Sequence, residues 1–178
     1  MSPFSASLRK AALTAHVTAS LGWLGAVAAF FALAVAGLVS SAPRTVQGAY
    51  VAMELIGWAV IVPLAGLTLV TGVVQSLGTV WGLWRHYWVI AKLLITMLAT
   101  ALLLVHMQPV GHVADAAARA ALVGGELQGM RIQLIADAAA AAVALVTAAA
   151  LSVFKPRGLT RYGRRRQRER PLPRPAAL

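Results

Sequence analysis

Residues 88–107 read WVIAKLLITMLATALLLVHM, a run of twenty residues in which Lys92 carries the only formal charge. A helix needs about 20 mostly apolar residues to cross the hydrocarbon core of a bilayer. That core contains no water to bond backbone N–H and C=O groups, so the segment must satisfy these groups itself, as a helix. The run therefore predicts a transmembrane helix.

Three further apolar stretches of this kind occur, at about residues 11–38, 51–74 and 132–154. The chain of 178 residues is 60% hydrophobic and 12% charged, whereas soluble domains have about 45–50% apolar and about 25% charged residues. We therefore predict an all-α fold, a four-helix transmembrane bundle over residues 1–155. The chain contains no cysteine, which excludes disulfides and cysteine-ligated metal centres.

The distribution of Lys and Arg around the spans predicts their orientation. Thirteen basic residues lie in the flanks on the side of the two termini, whereas Arg44, Arg119 and Arg131 lie on the other side. Basic residues are enriched in cytoplasmic flanks of membrane proteins. We therefore expect a multi-pass protein of the bacterial plasma membrane with both termini in the cytoplasm.

Aromatic and basic residues surround the start of the third span. The aromatic residues there are Trp81, Trp84, Tyr87 and Trp88. Aromatic rings favour the headgroup level of a bilayer, so this cluster indicates an interface anchor rather than a catalytic site. Arg85 is predicted to contact lipid headgroups. Lys92 is predicted to do the same from about one turn deeper, because its four-carbon chain can extend back to the surface.

The C-terminal segment, residues 156–178, is rich in arginine and proline and poor in apolar residues. Such a composition cannot build a core, so we predict a disordered cytoplasmic tail. Each basic residue beside a membrane adds about 1 kcal/mol of attraction to anionic lipid. The residues predicted to contact lipid in this segment and directly before it are Lys155, Arg157, Arg164, Arg165 and Arg166. No aromatic interleaving or folded motif indicates nucleic-acid binding.

Two local features modify the simple bundle. Pro63 is expected to kink the second span near mid-membrane. The third connection, residues 108–131, is longer than the other two, and in it Asp115 lies four residues before Arg119, a favourable pairing on a helix. We therefore predict a short outer-surface helix between the third and fourth spans.

Ionisable residues inside the spans are candidate functional residues, because they are costly there. The predicted topology sorts them by depth into two groups. The outer group is Glu54, His106 and Asp137, whose carboxylates and imidazole suit zinc, copper(II) or a proton relay. The inner group is His16 and His86, two imidazoles from different parts of the chain that could ligate the iron of haem b.

Each of these residues also has a purely structural explanation. His86 lies in the aromatic belt and can be an interfacial residue. Glu54 and Asp137 can lie in the first turn of a helix, where a negative charge is favoured. His16 and His106 can bond to neighbouring backbone groups.

Four segments, residues 13–38, 49–79, 81–109 and 151–165, together resemble a group of small bacterial integral membrane proteins, common in actinobacteria, that share a domain of unknown function. This resemblance implies the four-span fold and no activity. The chain is more distantly similar to the copper-resistance D-type membrane domain. Two features carry this resemblance: a histidine (His16) near the start of a helix that contains GWLG, and the W-x3-K pattern of Trp88 and Lys92. That resemblance implies copper handling.

The sequence contains no nucleophile elbow, phosphate loop or metalloprotease motif, so nothing indicates an enzyme. The leading hypothesis is a non-enzymatic membrane protein that binds a metal ion or haem, or relays protons, through helix-end histidines and carboxylates. One alternative is an accessory subunit of a larger membrane complex, since small residues in the first and fourth spans suit contact with a partner or a second copy. A small transporter is the other alternative.

Overall fold

The structure is a computed structural model that describes residues 4–78, 84, 86–119, 125–154 and 158–168. Its helices are α1 (Ala6–Val39), α2 (Pro43–Ile56), a π-helical turn (Gly57–Ile61), α3 (Val62–Gly78), α4 (Tyr87–Ala118), α5 (Gly125–Phe154) and α6 (Arg161–Arg168). Within the described ranges, four stretches are long and apolar enough to cross a membrane, namely Ala6–Val39, Pro43–Gly78, Tyr87–Ala118 and Glu126–Phe154. The predicted all-α bundle with four long apolar helices is confirmed.

The second span consists of α2, the π-helical turn and α3, which follow one another without a break. The π turn ends at Ile61, two residues before Pro63. A proline has no N–H, and in a regular α-helix its ring clashes with the carbonyl four residues earlier, here that of Ala59. The wider π turn, in which the Val62 N–H bonds to the Gly57 carbonyl five residues back, relieves this clash. The irregularity expected at Pro63 is therefore a π turn on its N-terminal side.

The third span is longer than predicted. α4 continues through Pro109 to Ala118, so residues 108–118 extend this span and do not form a separate short helix. The extension is held by burial against the neighbouring helices; its buried apolar residues include Val110, Val113 and Ala117. Asp115 and Arg119 lie 3.8 Å apart at the end of the extension, the pairing that their spacing predicts.

The four spans form a ring in chain order. α1 packs against the second span and against α5, and α4 packs against the same two neighbours. The first and third spans therefore face each other diagonally, as do the second and fourth. We call the end of the bundle where α1 begins and α5 ends the termini end, and we call the other end the opposite end.

Two clusters of buried apolar side chains fill the bundle. One contains Tyr50 and Met107, and the other contains Trp23 and Ile61. Many large apolar side chains nevertheless remain on the outside, such as Val105, which is 66% exposed. A broad apolar exterior of this kind suits contact with lipid chains and not with water.

The segment after α5 returns to the start of α4. The Tyr87 N–H donates to the Gly158 carbonyl at 3.3 Å. Thr160 then caps α6, since its hydroxyl oxygen accepts a 3.0 Å bond from the Gly163 N–H and donates a 2.6 Å bond to the Trp84 carbonyl. Residues 161–168 are therefore helical, in contrast to the disorder predicted for them, because a cap at a docked residue offsets the entropy of ordering them.

Candidate functional site

His106 on α4 and Asp137 on α5 form a pair towards the opposite end of the bundle. His106 Nε2 lies 2.9 Å from Asp137 Oδ2, and His106 Nδ1 lies 2.7 Å from the Leu102 carbonyl. A carbonyl can only accept, so Nδ1 carries a proton. At 2.9 Å the lone pairs of Nε2 and Oδ2 would repel, so this close approach favours a second proton shared between the two atoms; the Gln133 amide nitrogen lies 3.4 Å from the same Nε2. With that proton the pair is imidazolium with carboxylate, or imidazole with carboxylic acid, and its net charge is zero in either form.

The pair is only partly satisfied. Asp137 Oδ2 is shielded from solvent, and apart from the imidazole no donor among the described residues reaches it. A carboxylate has several acceptor positions on its two oxygens, so it can take a further donor through its exposed part. The two side chains are 24% and 35% exposed, so an additional molecule could approach them.

A groove of about 370 Å³ runs from this pair along α4 and α5 towards the middle of the bundle. His106 and Asp137 are the ionisable side chains in a lining that is otherwise apolar. Trp23 and Ile61 form part of its wall, and the rim on α4 includes the exposed Leu98 and Leu102. Beyond Leu134 and Asp137, α5 lines the groove with alanines, whose short side chains leave the space between the helices unfilled: Ala138, Ala140, Ala141 and Ala144.

Glu54, the third residue predicted for this site, lies on a different side of α4. Its Oε1 is 3.4 Å from the position that a Cβ would occupy at Gly111. Across the described part of the chain, no group of three or more His, Asp and Glu side chains could hold one metal ion. The geometry thus joins two of the three predicted ligands, His106 and Asp137, and zinc or copper binding stays a prediction.

A second polar cluster lies at the termini end and joins all four spans. It consists of His16, Thr71, Lys92 and Ser152, and we call it the four-helix polar cluster. Lys92 Nζ donates to Ser152 Oγ at 2.7 Å and lies 3.2 Å from His16 Nε2, while His16 Nδ1 lies 3.1 Å from Thr71 Oγ1. The Thr71 hydroxyl donates to the Leu67 carbonyl at 2.6 Å. It therefore accepts from the Nδ1–H of His16, which leaves Nε2 to accept from Lys92.

Lys92 differs from its prediction in this cluster. The sequence predicts that its ammonium group extends to the lipid surface, but its hydrogen bonds direct it into the bundle. The reason is that polar partners at the same depth on the other spans offer hydrogen bonds that a lipid-facing position lacks. His16, a predicted haem ligand, uses both ring nitrogens in this network.

The other predicted site residues lie at the termini end or outside the described residues. His86 precedes α4, where it pairs with Leu159 in a short bridge and its ring lies 6.3 Å from that of Trp88. Haem ligation by His16 and His86 stays a prediction. Arg164 and Arg165 are exposed on α6. Arg166 has its backbone in α6. The residues that lie outside the described residues are Trp81, Arg85, Lys155 and Arg157.

Sequence reasoning missed one buried contact, that of Arg131. Its guanidinium donates to the Tyr50 hydroxyl and to the Gly37 carbonyl, near the end of α1. The available indication was an arginine directly before a predicted span, at the same depth as a tyrosine at the start of another span. The prediction of orientation counts Arg131 only as a basic residue that flanks a span.

The fold, the His106–Asp137 pair and the four-helix polar cluster define the class of protein. It is a helical bundle with four helices suited to a membrane and a separate polar site towards each end. Neither family models nor curated proteins nor solved structures give a match to the chain.

Proposed function

We propose that the protein binds a neutral, single-chain amphiphile from the bilayer in the groove between α4 and α5, and that His106 and Asp137 exchange a proton beside its polar head. The observation that carries the proposal is the placement of this proton-sharing pair in the lining of a large apolar groove. Proton exchange through a helix-end histidine and a carboxylate is thus favoured over metal or haem ligation.

The size and lining of the groove support such a ligand. Pockets for small organic molecules are typically about 300–1,000 Å³, mostly apolar, with a few polar groups that fix orientation. A groove of about 370 Å³ falls in this range. Its rim carries leucines that are open to the lipid side, so a ligand dissolved in the membrane can enter without crossing water.

The charge of the pair selects the head group. Since His106 and Asp137 together carry no net charge, an ionised head would lose its hydration without gaining a counterion. A neutral head that bears a hydroxyl can instead donate to the carboxylate of Asp137, whose side chain is 35% exposed. The partial exposure of both side chains provides a route for proton exchange with water.

The proposed location follows from the distribution of basic residues. We place the protein in the bacterial plasma membrane with both termini cytoplasmic, so that the groove lies in the outer half of the bilayer, while Arg164 and Arg165 on α6 can contact anionic lipid on the inner side. A green fluorescent protein fused to the C-terminus should fluoresce, and an alkaline phosphatase fused there should be inactive. The reverse result would overturn this orientation.

Ligand binding can be tested by photo-crosslinking in nanodiscs. A long-chain alcohol that carries a diazirine in its chain should label α4 and α5 between residues 95 and 107 and residues 134 and 144. Ala141→Phe fills the groove and should lower labelling several-fold. Ala149→Phe, on the exposed face of the same helix outside the groove, should not. Uniform labelling of all four spans, or equal labelling in both variants, would contradict the proposal.

The proton can be followed by infrared difference spectroscopy on addition of the unlabelled alcohol. We expect a change in the carboxyl stretch of the wild type that is absent in Asp137→Asn. A fatty acid of the same chain length should compete less well than the alcohol, because its carboxylate would lie beside Asp137. A carboxyl band that persists in Asp137→Asn would exclude proton exchange at this pair.

A further inference from the structure

A cavity of about 90 Å³ lies beside the four-helix polar cluster, at the other end of the bundle from the groove. It is bounded by α1, α3 and α4. The polar side chains in its lining that matter here are Thr68 and Gln75 of α3 and Lys92 of α4. This cavity has no part in the function proposed above.

Hydrogen-bond donors remain available around this cavity. An ammonium group has three N–H donors, and within the described ranges Lys92 uses two of them, on His16 and on Ser152. Thr68 is 5% exposed, and its hydroxyl oxygen has no hydrogen-bond partner in the described part of the chain. The Gln75 carboxamide supplies further N–H groups at the same cavity. Lys92, Thr68 and Gln75 all line this cavity, so the third N–H of Lys92, the Thr68 hydroxyl and the Gln75 amide are the donors closest to a molecule bound there.

The charge of this site is unbalanced. Lys92 is the cation at the cavity, and no carboxylate lies within ion-pair distance of it among the described residues, whose ion pairs are His106–Asp137 and Asp115–Arg119. His106 lies fourteen residues beyond Lys92 on α4, which corresponds to about 21 Å along the helix. Asp115 lies still further along α4. A partly buried ammonium group without a counterion is costly, so this site favours a negative charge.

From these observations we infer that the cavity binds a small monovalent anion between Lys92 and Thr68. A volume of about 90 Å³ exceeds the about 10–15 Å³ that a single water molecule needs. Chloride or an anion of similar size fits this space. The anion accepts hydrogen bonds from the ammonium group and from the hydroxyl, so it supplies both the missing counterion and the missing partner.

Thermal unfolding in nanodiscs can test this inference with chloride as the probe. The wild type is titrated with sodium chloride against sodium gluconate at constant ionic strength, so that screening does not change. We expect the unfolding temperature to rise saturably with chloride, because a ligand that binds only the folded state stabilises it. Lys92→Met should abolish the rise. Lys10→Met, which removes an exposed lysine of α1, should leave it intact.

A second variant keeps the test decisive if Lys92→Met fails to fold. Thr68→Val preserves the shape of the side chain but removes one donor, so the chloride concentration at half-saturation should rise by about threefold to tenfold. A wild type without a saturable response would overturn the inference. So would a response that both Lys92→Met and Thr68→Val retain at the wild-type midpoint.

Discussion

Arg131 Nε donates a 2.8 Å hydrogen bond to the Tyr50 hydroxyl, and this bond joins the fourth span to the second across the diagonal of the bundle. The same guanidinium donates from Nη2 to the Gly37 carbonyl at 2.7 Å. Carbonyls in the last turn of a helix have no partner within that helix, and a cation there also suits the helix dipole. Arg131 therefore caps α1 and fixes the position of Tyr50.

Removal of this cap should destabilise the bundle. Arg131→Met keeps much of the apolar part of the side chain but leaves the Tyr50 hydroxyl and the Gly37 carbonyl without their donor. We expect a loss of about 1–3 kcal/mol in the free energy of unfolding, the range for hydrogen bonds to a charged group and for buried polar groups left unpaired. Reversible unfolding in mixed detergent micelles measures this loss.

Arg119→Met is the matched control for this prediction. Arg119 is 72% exposed, and its ion pair with Asp115 is a long one of 3.8 Å on one helix. Its removal should cost less than about 0.5 kcal/mol. Equal losses in the two variants would show that Arg131 acts as a surface charge and not as a cap.

Gly37 permits the close packing of α1 on Tyr50. A Cβ at this position would lie 2.7 Å from Tyr50 Cζ, and the bond from Arg131 prevents the ring from moving aside freely. Gly37→Ala should therefore cost about 1–3 kcal/mol through overpacking.

Gly25→Ala on the same helix provides the comparison, because no neighbouring side chain among the described residues lies within 4 Å of a Cβ there. It should be neutral or stabilising by up to about 1 kcal/mol, since alanine is the better helix former. Unfolding in the same micelles measures both variants. A neutral Gly37→Ala would mean that α1 and α2 can separate without loss.

The spans could be predicted because lipid penalises any unpaired backbone group, and that penalty shows directly in the length of an apolar run. Depth could also be predicted from the helical rise, which is why His106 and Asp137 meet as expected. Glu54 has a similar depth but packs on a different side of α4, against Gly111. Depth alone does not tell which side of a helix a residue faces.

The direction in which the side chains of α4 point is hard to predict, because most of this helix is apolar on every side. An apolar face towards lipid and an apolar face towards the core look alike in sequence, so the sequence predicts the lipid side for Lys92. Its inward direction depends on His16 and Ser152, which are distant in the chain. Pro63 shows a similar limit, because either a kink or a π turn can accommodate a proline, and the choice depends on how the surrounding helices pack.

Thr160 should control the docking of α6. Thr160→Val preserves the shape of the side chain but removes the bond to the Trp84 carbonyl and the cap on the Gly163 N–H. Loss of a helix cap costs about 0.5–2 kcal/mol. We therefore expect trypsin to cleave after the arginines of α6 several-fold faster.

Thr147→Val is a control of the same chemistry, since among the described residues the Thr147 hydroxyl bonds only within its own helix, to the Val143 carbonyl. Its cleavage rate should match that of the wild type in nanodiscs. Equal rates in all three proteins would indicate that α6 does not depend on Thr160.

Zinc addition distinguishes a metal centre from a proton-sharing pair at His106 and Asp137. A protein zinc site usually has three or four side-chain ligands, and the described residues bring two together here. We therefore expect micromolar zinc, and its removal with a chelator, to leave the unfolding temperature unchanged. A metal at a hundred times its Kd would instead add about 2.7 kcal/mol to the stability of the folded state.

Three variants decide which residues would be responsible if zinc does stabilise the protein. His106→Ala and Asp137→Asn each remove one member of the pair. His112→Ala removes a histidine that lies on the same helix and bonds to a backbone carbonyl in the same manner, that of Gln108 at 2.9 Å. Stabilisation that is lost in the first two variants and kept in the third would establish a metal centre, and proton sharing would then be the wrong description of this pair.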